Sequence, residues 1–142
     1  MSKLTVYRAS AGSGKTYLIT LEYLKLLFNF PYNYRHILAV TFTKKAAAEM
    51  KTRIVEQLYK LANGDNTPYL NELENALQLK EKSIRQQAEL LLKYILHDYS
   101  RFYIETIDSF FQTILRSFIR EIGIQTGFRV ELDNTKVLSA AI

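Results

Sequence analysis

Gly12-Ser13-Gly14-Lys15-Thr16 brings two glycines, a lysine and a hydroxyl residue within five positions, a combination that can hold phosphate. Gly12 and Gly14 can take positive φ and let backbone N–H groups converge on phosphate oxygens. A helix starting at this point adds the partial positive charge of its N-terminus. Lys15 is then placed to reach the β and γ phosphates of a nucleoside triphosphate, and the Thr16 hydroxyl to ligate its Mg²⁺. The full cradle runs Ala9-Ser10-Ala11-Gly12-Ser13-Gly14-Lys15-Thr16, with Tyr17 following in the first helical turn. Ala9 stands where the strict G-x-x-x-x-G-K-[ST] pattern has Gly, so the loop is a variant of that pattern. At ~7% glycine usage, a chance match in a chain of this length is on the order of one per cent, which favours the phosphate reading.

Two further segments pair hydroxyls with predicted helix starts. In Thr41-Phe42-Thr43-Lys44-Lys45-Ala46-Ala47-Ala48-Glu49-Met50, Thr43 is a suitable N-cap and both lysines fall in the first turn. Cations there oppose the helix dipole by about 0.3–1 kcal/mol each, a placement that a bound anion would turn to advantage. Equally open is a solvated pair of lysines, with small alanines for close packing and an exposed Glu49–Arg53 pair. In Thr106-Ile107-Asp108-Ser109-Phe110-Phe111-Gln112 the plainer reading is strong. Ser109 and Gln112 suit a capping box, Asp108 can cap alone, and Phe111 belongs to an apolar stripe.

The elements that must position these groups follow from periodicity. Leu4 to Arg8 alternates like a strand, and Lys15 to Asn29 is apolar nearly all round, with Thr20, Glu22 and Lys25 as exceptions, so a helix buried between layers is expected. His36 to Thr43 contains the run Ile37-Leu38-Ala39-Val40, expected of a strand covered on both faces of a parallel sheet. Lys44 to Leu61 is predicted helical and stops at the Asn63-Gly64 loop that runs to Pro68. Tyr69 to Tyr99 is again helical, with Ile84, Ala88, Leu91 and Ile95 as its buried stripe. A strand is expected over Arg101–Ile107, then a helix from Ser109 to Ile122 carrying Phe111, Leu115, Phe118 and Ile122 on one face and closed by Gly123. Residues 128–132 read as a strand and 133–142 as a helix.

The 142 residues are 48% hydrophobic and 23% charged, enough for one domain with a core and unlike a disordered chain. A net charge of +5 tilts the expected partner toward a polyanion. No cysteine is present and only His36 and His97 remain as soft ligands, which argues against a transition-metal centre. No signal segment and no uncharged run near ~18 residues is found, so a cytoplasmic protein without a membrane role is expected.

Taken together, the three segments resemble superfamily 1 DNA helicases of the UvrD/RecB type, the RecB-like branch in particular. Residues 9–16 resemble helicase motif I, residues 41–50 continuing to Arg53 resemble motif Ia, and Thr106 to Phe110 resemble motif Ib. The resemblance implies an α/β P-loop NTPase fold of the RecA-like kind, a parallel sheet flanked by helices. Residues 1–142 would form the N-terminal part of domain 1A, incomplete and carrying a helical insertion at about 69–99. It also implies that Lys15 and Thr16 serve ATP and Mg²⁺, while Thr41, Phe42, Thr43, Lys44, Thr106 and Ser109 line a single-stranded DNA path. Phe42 would offer a ring face to a base and the hydroxyls and Lys44 would contact phosphates. Lys45 stands where Asn is frequent, Asp108 where His is frequent, and no Gln-containing adenine-recognition segment precedes the first strand.

A helicase also needs a strand ending in Asp-Glu and arginines from later motifs. Leu90 to Asp98 imitates the first, but Leu enrichment and the helical stripe argue for a helix, so Asp98 is not assigned that role. The expectation is therefore an N-terminal piece of a much longer ATP-dependent helicase or helicase-nuclease, inactive alone. Its implied partners are single-stranded and double-stranded DNA, further helicase domains of the same chain and a second helicase-nuclease subunit. The alternative is a P-loop kinase or other nucleotide phosphotransferase.

Overall fold

The computed structural model describes residues 4–8, 14–30 and 32–123. Helix α1 (Lys15–Asn29) is followed by strand β1 (Ala39–Thr41), helices α2 (Lys44–Asn63), α3 (Leu70–Leu77) and α4 (Glu81–His97), strand β2 (Ile104–Thr106) and helix α5 (Ile107–Glu121). β1 and β2 pair in parallel, with Ala39 opposite Ile104, Val40 opposite Glu105 and Thr41 opposite Thr106. Parallel neighbours need a crossover, here supplied by α2 to α4. The whole is a helix-rich α/β arrangement around a small parallel sheet.

One core joins these elements. The expected α4 stripe is buried, and Ile84, Ala88, Leu91 and Ile95 share a cluster with Ile54, Leu58 and Leu61 of α2 and Leu24 and Leu27 of α1. α2 ends as its Asn-Gly pair predicts. Gly64 takes φ 86°, a left-handed conformation that favours glycine, and Asp65 N–H donates to Lys60 O at 2.9 Å. Arg85 of α4 then donates to the carbonyls of Leu61 at 2.9 Å and Asp65 at 3.3 Å while pairing with Glu81 at 2.6 Å, tying the end of α2 to α4. The helical stretch 69–99 is interrupted by Gln78, which ends α3 at φ 54°.

Several expectations are corrected. Residues 4–8 form no strand ladder among the described residues, and Leu4 and Val6 are 88% and 70% exposed. Alternation names the face a strand would bury, but without a partner edge it gives no ladder. β1 is shorter than the stretch 36–43, and Leu38 and Val40 are exposed while Ile37 is buried, so only one face is covered. α1 likewise leaves Ile19 and Leu26 exposed rather than lying between two layers.

α5 begins at Ile107 instead of Ser109 and is closed near Gly123, which takes φ 71°. Its expected core stripe has the right spacing, yet no residue of the helix is buried. Phe111, Leu115, Phe118 and Ile122 all lie open among the described residues. The strand and helix expected over 128–142 lie outside the described residues.

Candidate functional site

The three helix starts differ in how their first amide groups are satisfied. The opening N–H groups of any α-helix lack intrahelical partners. At α1 the N-cap is Gly14 in a left-handed conformation, φ 78°, and no side chain caps the turn. A Cβ on Gly14 would touch nothing within 4 Å, so glycine is required there by backbone angle and not by crowding. The first intrahelical bond joins Leu18 N–H to Gly14 O at 3.0 Å, and the amides of Lys15, Thr16 and Tyr17 have no partner among the described residues. Lys15 and Thr16 are exposed, and no acidic residue sits in this turn. The partial positive charge of an uncapped helix start and an exposed lysine both favour an anion.

Of the expected phosphate cradle, Gly14, Lys15 and Thr16 lie at the start of α1, whereas Ala9, Ser10, Ala11, Gly12 and Ser13 lie outside the described residues. Behind the loop, the Thr20 hydroxyl is buried and donates to Thr16 O at 2.7 Å, fixing the first turn from the core side. The Tyr17 ring is turned away along α1. It stacks on Tyr69 and its hydroxyl donates to Pro68 O at 3.1 Å.

α2 and α5, in contrast, are both capped by threonine. The Thr43 hydroxyl accepts from Ala46 N–H at 3.1 Å, as its sequence position predicts. The cap of α5 is Thr106, whose hydroxyl accepts from Ser109 N–H at 3.2 Å and donates to Ser109 Oγ at 2.9 Å. This replaces the capping box centred on Ser109 and the cap role of Asp108, because the helix starts two residues earlier. Asp108 instead lies in the first turn, where a carboxylate suits the helix dipole.

Because Thr41 is in register with Thr106, both capped starts emerge side by side at the C-terminal edge of the sheet. Ligands of open parallel sheets bind at that edge. Thr41 donates to Thr43 O at 3.0 Å, which bends the chain between β1 and α2 and leaves Phe42 88% exposed. Thr43 and Lys44 are exposed as well, and Lys44 makes no ion pair among the described residues. Lys45 approaches Glu49 at 3.9 Å, both ends solvated, a contact worth little that takes the place of the expected Glu49–Arg53 pair.

The two starts differ in charge, Lys44 and Lys45 beside β1 against Asp108 beside β2, so the β1 side is the more favourable to an anion. A groove of about 560 Å³ runs along α2 from Lys45 to Lys60, but Glu49 and Glu56 offset its cations and it does not continue the edge as a basic track. Asp98 closes α4 in an ion pair with Arg35 at 2.8 Å, far in role from a metal-holding carboxylate. Among the described residues no cluster of three His, Cys, Asp or Glu could hold a metal ion, and no helix is long and apolar enough to cross a membrane.

Residues 2–141 match the family described as UvrD/REP helicase N-terminal domain. The chain is 34% identical over 130 residues to the A subunit of the ATP-dependent helicase/nuclease of Lactobacillus acidophilus, covering 90% of this chain and 9% of that protein. It is 35% identical over 98 residues to the RecBCD enzyme subunit RecB of Haemophilus influenzae, covering 64% and 7%. It is 54% identical over 50 residues to the ATP-dependent DNA helicase Rep of Escherichia coli, covering 35% and 7%. The chain thus spans less than a tenth of the length of these relatives. No solved structure matches it.

Proposed function

Because the chain belongs to the UvrD/REP helicase N-terminal domain family, we propose that it supplies the ATP-binding loop and part of the single-stranded DNA track of a longer, cytoplasmic ATP-dependent helicase or helicase-nuclease. The observation that supports this most is the register of Thr41 with Thr106, which sets two capped helix starts together at one sheet edge. Gly14, Lys15 and Thr16 suit MgATP, since the α1 start is uncapped, cationic and solvent-facing. Lys15 holds the terminal phosphates and Thr16 offers its hydroxyl to Mg²⁺. ATP, when bound, supplies the free energy of phosphoryl transfer to water that drives translocation.

On the DNA side, Thr43 and Lys44 hold backbone phosphates, with Thr41, Thr106 and Ser109 shaping the edge beneath them. Phe42 presents a ring for a base. The partners of the whole protein in this reading are single-stranded and double-stranded DNA, the later helicase domains and a second helicase-nuclease subunit. Single-stranded DNA is expected to bind the 142-residue chain weakly, with log affinity falling against log salt by ~0.7 per neutralised phosphate. Lys44→Ala should lower both the affinity and the slope, the latter by about 0.7. Phe42→Ala should cost about 1–3 kcal/mol and leave the slope alone, because stacking releases no counterions. Fluorescence anisotropy across a salt series reads both, and unchanged binding in the two variants would favour a P-loop kinase instead.

A further inference from the structure

Tyr69 precedes α3 and is almost wholly buried, yet its ring lies against α1, 4.7 Å between centroids and 15° from parallel with the ring of Tyr17. The Tyr17 hydroxyl reaches the neighbouring Pro68 carbonyl at 3.1 Å, so two contacts join the turn after Thr16 to the loop between α2 and α3. That loop is held from behind. Arg85 of α4 binds the carbonyls of Leu61 and Asp65, and the Thr67 hydroxyl, on a buried residue, accepts from Tyr69 N–H at 3.3 Å. The Tyr69 ring is therefore a fixed abutment, not a side chain free to follow α1. Partial desolvation, with Glu72 and Tyr69 nearby, raises the Tyr17 phenol above its usual pKa.

We infer that Tyr69 is a positioning residue for nucleotide binding, holding the first turn of α1 through the Tyr17 ring and coupling the segment from α3 to α4 to the phosphate loop. The inference rests on the nucleotide-binding reading of Gly14, Lys15 and Thr16. Its physical basis is that the open amides of Lys15, Thr16 and Tyr17 can converge on one anion only if the turn that carries them keeps its direction. Coupling of this kind is reciprocal. If the abutment favours the nucleotide, the nucleotide must steady the abutment.

The test uses the 142-residue chain, with MgATP binding read by titration calorimetry and amide exchange read over residues 64–70. Tyr69→Leu keeps an apolar side chain but removes the stack, and should weaken MgATP by about 2- to 12-fold, the range of one aromatic pair, while Tyr69→Phe binds like wild type. MgATP should slow exchange over residues 64–70 in the wild type, and should fail to do so in Lys15→Ala. Wild-type affinity in a folded Tyr69→Leu, with binding lost in Lys15→Ala, overturns the positioning role and leaves the nucleotide reading standing. Should Tyr69→Leu not fold, exchange in the wild type decides alone, and unchanged exchange over residues 64–70 at saturating MgATP overturns the inference. Equal MgATP affinity in Lys15→Ala and wild type removes the nucleotide reading, and this inference with it.

Discussion

MgATP affinity is expected to fall by about 10- to 150-fold in Lys15→Ala, the equivalent of losing a hydrogen bond to a charged group. Lys15 sits in the first turn of a helix whose start carries no capping side chain and no acidic residue, so nothing in that turn replaces its charge. The side chain is exposed, and the substitution should leave thermal stability unchanged. Calorimetric titration of the two proteins with ATP and Mg²⁺ is the measurement. Turnover by the 142-residue chain is expected to be slow, because its sequence supplies no strand ending in Asp-Glu. Equal affinities, or rapid hydrolysis by the chain alone, would refute the assignment.

The second large effect falls on stability. Phe102→Ala is expected to cost about 3–5 kcal/mol, a large share of the roughly 5–15 kcal/mol that typically holds a domain together. Phe102 is 1% exposed and sits just before β2, with its ring edge-on to Tyr23 at 5.9 Å and near Tyr99 at the same distance. Lys51 of α2 places its ammonium 5.1 Å from the Tyr99 ring and 5.9 Å from that of Phe102. One side chain thus joins α1, α2 and the sheet. The buried Tyr23 hydroxyl has no hydrogen-bond partner among the described residues, so water entering the new cavity would recover part of the loss and draw it toward the lower figure. Urea denaturation of wild type and variant gives the difference directly, and a loss below about 1 kcal/mol would show that the junction does not depend on this ring.

How far the sequence speaks depends on whether the signal is local. The α4 stripe through Ile84, Ala88, Leu91 and Ile95, the Thr43 cap and the Gly64 stop are each set within a turn or two of chain, and each stands in the structure as read. The parallel pairing of the second and third predicted strands is also legible, since the run from Ile37 to Val40 and a long helical crossover leave little other topology. The Leu4 to Arg8 alternation yields no ladder because pairing is a property of two segments, and spacing within one of them carries no word of the other. Thr106-Ile107 reads as strand because both are β-branched. The structure ends β2 at Thr106, whose hydroxyl also caps α5, and makes the isoleucine the first helical residue, a boundary that periodicity cannot place. In the candidate site, the open amides behind Lys15 follow from Gly14, but the stacking of Tyr17 on Tyr69 joins residues far apart in the chain, and no spacing rule announces it.

The open face of α5 also sets how the chain behaves in solution. Phe111, Leu115, Phe118 and Ile122 form an apolar stripe on a protein whose net charge is +5. Charge keeps copies apart at low ionic strength, whereas the stripe draws them together and is strengthened by excluded salts such as sulfate. The same rise in salt that would release a polyanion from Lys44 in the proposed reading therefore removes the repulsion between chains. Self-association and loss of nucleic acid are then the two expected responses to one change in the medium, and light scattering would separate them, because a stripe-driven aggregate would grow with protein concentration while counterion release does not depend on it.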